Sequence, residues 1–218
     1  MKEIMVTGGA GYMGSHTAKA LALAGYEPTT DPLGRGKRMA TVAGMTGAQF
    51  DALPYESARK WELLNGELIP VSCPTPRHQD IVLAIQIGLR SFFAKSKLQA
   101  ISYQDVEFAM SADDRVRPDL AVLLGYKAGL DRDRIPIRGV PDLAIEVISP
   151  SERTAESNAK MRDYLAHGAA EVWQVYPKTQ TVEIHRPESD RTVSGGAIVT
   201  DLLPGFTLPL DDVFSQGE

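Results

Sequence analysis

Six short apolar runs, LQAISY, DVEFAM, DLAVLL, DLAIEVIS, EVWQVY and TVEIHR, do most to restrict what this chain can fold into. Each has the length and apolar content of a strand, and turn residues or charges bound them. A single segment of helical length, about Thr154 to His167, separates DLAIEVIS from EVWQVY. A second precedes the set, where Ile81, Val82, Ile85, Leu89 and Phe92 recur at helical spacing and define one buried face. Upstream, WELLNGELIPV reads as a hairpin, because Asn65-Gly66 is the favoured pair for a type I′ turn. Before it, Thr46 and Gln49 have the spacing of a capping box opening a short helix through Phe50 and Leu53, closed by Pro54. These elements predict an α+β fold: a sheet, mostly hairpins, flanked by two helices.

The first 45 residues have another texture. Ile4, Met5 and Val6 read as a short buried strand and Tyr12 to Ala24 as an apolar helix, with Gly9, Gly11 and Gly14 between them in G-x-G-x-x-G spacing. Such glycines allow a tight turn, close approach of backbone N–H groups to a pyrophosphate, and helix packing. Asp31 stands near where an acidic ribose ligand belongs. The stretch GGAGYMGSHTAKALALAGYEP resembles the amino terminus of the UDP-glucose 4-epimerases among the extended short-chain dehydrogenases. A dinucleotide domain, however, needs a relay of parallel strands. The expected second strand, EPTTD, carries a proline and two threonines where a buried parallel strand would be apolar, and no Tyr-x-x-x-Lys pair follows. Residues 1–45 are therefore expected to be an isolated Rossmann-like βα fragment whose glycines are vestigial, with NAD not expected to bind. Residues 46–218 are expected to form the second domain.

Composition narrows the class. At 218 residues and 43% hydrophobic, the chain can build a core of ordinary size. A net charge of −5 argues against a surface basic overall, so contact with nucleic acid would need a local cluster of arginine and lysine. The single cysteine, Cys73, excludes an intramolecular disulfide framework, suits a reducing cytoplasm and reads as an apolar filler. No apolar run approaches the roughly 20 residues that span a bilayer, and the start lacks the order of a signal peptide, so a cytoplasmic protein with no membrane partner is expected.

Two carboxylates sit where strand chemistry makes them costly. Asp119 directly precedes an apolar run, and Glu146 lies inside one, sharing a face with Ala144 and Ile148. A carboxylate so placed is paired or metal-bound, since burial of an uncompensated charge costs several kcal/mol. Metal and a salt bridge to Arg117 or Arg153 are equally open on spacing alone. His78, at the start of the long helix, is either a capped core histidine or a substrate contact. Glu62 and Glu107 read as ordinary strand-face charges.

The landmarks WELLNGEL, SCPTPRHQ, RPDLAV, VPDLAIEVISPS, NAKMRDYLAHGAAEVWQVYP and LPGFTLPL occur in order over about Thr46 to Phe214. Together they resemble the Uma-two family of restriction endonucleases, within the PD-(D/E)XK nuclease superfamily. The resemblance implies a restriction-endonuclease-like mixed sheet in which Asp119 and Glu146 bind a divalent metal and a lysine completes the centre. In the E-x-K element the third position here is Ile148, and the resemblance suggests that Lys160, on the following helix, takes the lysine's place. Lys160 and Tyr164, four apart, share a helix face. Glu67, in the second arm of the hairpin, is the further carboxylate expected.

Hard oxygen ligands suit Mg²⁺ or Mn²⁺ rather than zinc. The implied activity is metal-dependent hydrolysis of DNA phosphodiester bonds, with catalytic residues Asp119, Glu146, Lys160 and Glu67. Arg115, Arg117, Arg132, Arg134, Arg138 and Arg153 flank the site in sequence and could form the local basic patch. A homodimer is expected by analogy with other nucleases. A nuclease fold that no longer cuts and serves as an interaction module remains the alternative, with an NAD-dependent sugar-nucleotide epimerase behind it. Convergence of Asp119, Glu146 and Lys160 favours cutting; the epimerase would need a complete cofactor crevice around Gly9 to Gly14.

Overall fold

The computed structural model describes residues 3–6, 27–30, 44–53, 61–71, 73–131, 133–149 and 154–215. In chain order these form β1 (Glu3–Val6), β2 (Glu27–Thr30), α1 (Gly47–Asp51), β3 (Trp61–Leu64) and β4 (Glu67–Pro70). The long helix α2 (Pro76–Lys95) follows, then β5 (Ala100–Gln104), β6 (Phe108–Ala109), β7 (Arg115–Val116) and β8 (Leu120–Leu124). After a 3₁₀ turn over Gly125–Gly129 come β9 (Ile137–Arg138), β10 (Leu143–Val147), α3 (Thr154–Ala166), β11 (Glu171–Tyr176) and β12 (Thr181–Arg186). The chain ends on β13 (Ser189–Val193), β14 (Ala197–Val199), β15 (Thr207–Pro209) and α4 (Leu210–Phe214). It divides into two compact units, Met1–Cys73 with Ala109–Val116, and Pro74–Phe108 with Arg117–Glu218.

In the first unit, β1 and β2 pair in parallel, with Ile4 opposite Pro28. EPTT does form the second strand, correcting the expectation of a lone βα fragment. In a two-stranded sheet both strands are edges, so Pro28 can turn its missing N–H outward. Gly9, Gly11, Gly14, Asp31 and the expected Tyr12 to Ala24 helix lie outside the described residues. The capping box is formed: Thr46 Oγ1 accepts from the Gln49 N–H and Gln49 Oε1 from the Thr46 N–H. The hairpin β3–β4 turns at Asn65 and Gly66, with φ of 51° and 75°, the positive pair of a type I′ turn. Strand β7 adds to β3. All four β3 residues are buried, Glu62 among them, so Glu62 is not a solvent-facing strand charge.

The second unit is built on a six-stranded sheet in the order β13-β12-β11-β10-β8-β5. β10 and β11 are parallel and the other neighbours antiparallel, so the sheet is mixed. A parallel pair cannot be joined by a hairpin, which is why α3 lies between β10 and β11 as a crossover helix. Alternation divides the sheet's residues between its faces. Leu143, Ile145, Val147, Trp173, Val175, Val182 and Ile184 enter one core with Ile81, Val82, Ile85 and Leu89 of α2. Ala144, Glu146, Gln174 and His185 take the opposite face, toward α3. Gly88 lets α2 approach β15, since a Cβ there would lie 2.8 Å from Leu208 Cδ1. No helix among the described residues is long and apolar enough to cross a membrane.

Candidate functional site

Strands β8 and β10 run antiparallel with Leu120 opposite Ile145, so one further step in register sets Asp119 across from Glu146. Both carboxylates thus belong to the same end of the sheet. Asp119 is tied there by two contacts. Its Oδ2 accepts the Val147 N–H at 2.7 Å, and its Oδ1 lies 3.0 Å from His78 Nε2. His78 reaches this place because Thr75 caps α2 and accepts the His78 N–H, fixing the first turn. His78 is therefore a capped residue, and its ring is bound to a site carboxylate rather than packed in the apolar core.

Glu146 faces α3. Its Oε1 receives the Tyr164 hydroxyl at 2.9 Å and pairs with Lys160 Nζ at 3.0 Å. The side chains of Glu146 and Lys160 are 14% and 15% exposed, so this ion pair is largely withdrawn from water. Helical spacing explains the double attachment, since Lys160 and Tyr164 project from one face of α3; the ammonium also lies 6.0 Å from the Tyr164 ring centroid. Of the two salt-bridge partners read from sequence for Glu146, Arg153 lies outside the described residues, and the pairing observed is with Lys160.

Asp119, Glu146 and Lys160 are thus gathered at one end of the sheet of the second unit. Glu67 belongs to the first unit and is exposed at the start of β4. Arg115 is committed to structure: it is buried, makes two 2.9 Å bonds to the Asp51 carboxylate, and donates to the Ser111 and Asp114 carbonyls. It therefore drops out of the expected basic patch. Arg134 is well exposed, but its loop leaves β8 after Leu124 and returns at Leu143, the ends of those strands opposite to Asp119 and Glu146. Arg132 is outside the described residues.

Reading the sequence missed Gln174 and Ser157. Gln174 lies beside Glu146 in the β10–β11 register and donates to Ser157 Oγ on α3 at 2.7 Å. Its signal was an amide inside the apolar run EVWQVY, on the face that alternation assigns to Glu146.

Among the described residues no group of three or more His, Cys, Asp or Glu is placed to hold a metal ion. The donor chemistry present fits a different habit. Mg²⁺ is commonly held by one or two carboxylates and completes its shell with water and substrate phosphate. Asp119 and Glu146, hard oxygen donors at neighbouring strand ends, suit that mode.

A family model named Uma2, described as "Putative restriction endonuclease", matches residues 48–211. A crystal structure of a "putative nuclease belonging to DUF820 from Anabaena variabilis" shares the fold, with a TM-score of 0.68 at 23% identity over 79% of this chain and 98% of that one. No curated protein matches the chain.

Proposed function

Because this chain belongs to the Uma2 family, we propose that it is a metal-dependent endonuclease hydrolysing DNA phosphodiester bonds, with Asp119 and Glu146 as cation ligands and Lys160 as the lysine that completes the centre. The observation that carries this reading is the withdrawn pair of Lys160 Nζ and Glu146 Oε1, 3.0 Å apart, next to the strand end that holds Asp119. The mixed sheet with its crossover helix is read as restriction-endonuclease-like, a reading of the fold that the likeness to the Anabaena variabilis DUF820 structure supports. Asp119 and Glu146 would hold Mg²⁺ or Mn²⁺, which would supply polarisation of a scissile phosphate and a lowered pKa for water.

The protein's own groups do the rest. The Val147 N–H and His78 restrain both oxygens of Asp119, so its orientation is set before substrate arrives. Tyr164 restrains Glu146 in the same way. Lys160, an ammonium while paired with Glu146, orients the attacking water or stabilises negative charge developing on a phosphate oxygen, which it can do without bidentate geometry.

The test is cleavage of plasmid and single-stranded DNA with Mg²⁺ or Mn²⁺. Asp119→Ala, Glu146→Ala and Lys160→Ala should each lower the rate by about a hundredfold or more. Cleavage that survives both carboxylate changes overturns the assignment.

One observation favours a second reading. Each carboxylate is already compensated by protein groups, His78 and a backbone N–H for Asp119, Lys160 and Tyr164 for Glu146. A nuclease fold so satisfied can serve as an interaction module that does not cut. Wild-type protein that binds DNA equally in EDTA and in Mg²⁺, and cleaves neither substrate, supports the module.

A further inference from the structure

Helix α3 carries Lys160 and docks on the sheet by a narrow seam, in which the Tyr164 ring is fully buried and Met161 and Leu165 are half-buried. Its buried residues are Ser157 and Tyr164. Each is hydrogen-bonded to a strand residue beneath it: Ser157 Oγ accepts from Gln174 Nε2 at 2.7 Å, and the Tyr164 hydroxyl donates to Glu146 at 2.9 Å. Apolar contact tolerates sliding by a fraction of an ångström, whereas a hydrogen bond specifies both distance and direction. The Tyr164 ring anchors the helix, and the two polar tethers fix the place of Lys160 along the sheet more finely.

Gln174 is built for such a task. It is 1% exposed and stands in register with Glu146 on the neighbouring strand. Its amide is held on the other side as well, where Oε1 accepts the Tyr176 hydroxyl at 3.2 Å and faces His185 Nε2 at 3.1 Å. The His185 ring is braced in turn by Asp190, with Nδ1 2.8 Å from Oδ1. With Oε1 turned toward Tyr176 and β12, the planar amide directs Nε2 to α3, where one of its two N–H groups meets Ser157 Oγ. Ser157, Lys160 and Tyr164 follow at spacings of three and four and share one face of α3, so a bond at Ser157 fixes where Lys160 emerges.

We infer that Gln174, acting through Ser157, is a positioning residue that sets the register of α3 and thereby holds Lys160 against Glu146. The inference assigns a role within the nuclease reading and rests on it only for the consequence in catalysis; the placement of Lys160 is measurable without any cleavage.

The experiment uses the full chain labelled with ¹⁵N-lysine, with the Nζ resonance of Lys160 assigned by its loss in Lys160→Arg. An ammonium held by a carboxylate away from water gives a slowly exchanging signal. In Ser157→Ala and Gln174→Leu that signal should shift and broaden, while the Trp173 indole resonance, reporting the opposite face of the sheet, stays in place. Ser157→Thr, which keeps the hydroxyl, should restore it. In cleavage assays the first two variants should lose about 10- to 100-fold in kcat with KM little changed, as for a displaced catalytic group. An unaltered Lys160 signal in folded Ser157→Ala protein overturns the inference whatever the cleavage result; if Gln174→Leu fails to fold, Ser157→Ala and Ser157→Thr decide alone. If the wild type does not cleave, the nuclease reading fails, and the Lys160 signal still decides the positioning role.

Discussion

Replacing Lys160 by methionine keeps the aliphatic stem, removes the ammonium and leaves Glu146 without this counter-charge. At 3.0 Å the Coulomb attraction is roughly 5 kcal/mol for an effective dielectric near 20. Desolvation of both ions consumes much of that in the native protein, so the pair contributes little net stability compared with an apolar pair. Breaking it from one side is another matter. The Glu146 side chain is 14% exposed and cannot recover its hydration in place, and such half-broken pairs cost about 3–5 kcal/mol. The Tyr164 hydroxyl still donates to Oε1, which sets the expected loss for Lys160→Met at the lower end, about 3 kcal/mol. Glu146→Gln should cost a similar amount by leaving the ammonium without this carboxylate. The double variant removes both charges and should recover about 2 kcal/mol of the summed losses. Urea unfolding at neutral pH, followed by the fluorescence of fully buried Trp173, measures all four corners of the cycle. A Lys160→Met loss below about 0.5 kcal/mol with no coupling would refute the claim that this pair is withdrawn from water and mutually dependent.

Three further outcomes are expected. His78→Asn should weaken Mn²⁺ binding about 10- to 100-fold in a calorimetric titration, because the ring that orients Asp119 Oδ1 is lost. Glu171 is fully buried and takes hydrogen bonds from Arg186, Thr200 and Trp173, and Arg186→Met should therefore cost about 2–4 kcal/mol in urea unfolding. The hydrogen bond and charge of Glu171 raise the Arg186 pKa above its ordinary value, so its contribution is complete below the unfolded pKa and lost only as pH climbs past the folded one. The wild-type minus Arg186→Met difference should accordingly stay flat across roughly pH 6 to 10. Gly47→Ala should destabilise the first unit by about 1–3 kcal/mol in the same assay, since its Cβ would press on the Ala112 carbonyl and meet the Arg115 guanidinium at 2.5 and 2.6 Å.

Where a residue's environment follows from local rules, the sequence was enough. Asn65-Gly66 demanded the hairpin turn, Thr46 and Gln49 the cap, and the spacing from Ile81 to Phe92 the long helix, because turn chemistry, capping and periodicity act over a few neighbouring residues. EVWQVY and TVEIHR became β11 and β12 at the expected limits. The strand EPTT was underrated because pairing with β1 in a two-stranded sheet tolerates a proline that a buried central strand would reject. DVEFAM shrank to two strand residues at Phe108–Ala109.

Composition and alternation also marked Asp119 and Glu146 as carboxylates in need of a partner, and helical spacing put Lys160 with Tyr164. Which partners they took was decided in three dimensions. His78 and Asp119 are 41 residues apart, and only the packing of α2 on the sheet brings the imidazole to 3.0 Å from the carboxylate. Arginines near the site in sequence were drawn elsewhere by the same logic, Arg115 into a bond with Asp51 and Arg134 to the far end of β8. The tether from Gln174 to Ser157 depends on the parallel register of β10 and β11 and on the crossover helix that a parallel pair requires. The sequence by itself determined which side chains could not remain alone. Tertiary structure decided what they met, because strand register and helix docking are set by the whole apolar core and not by the few residues around each charge.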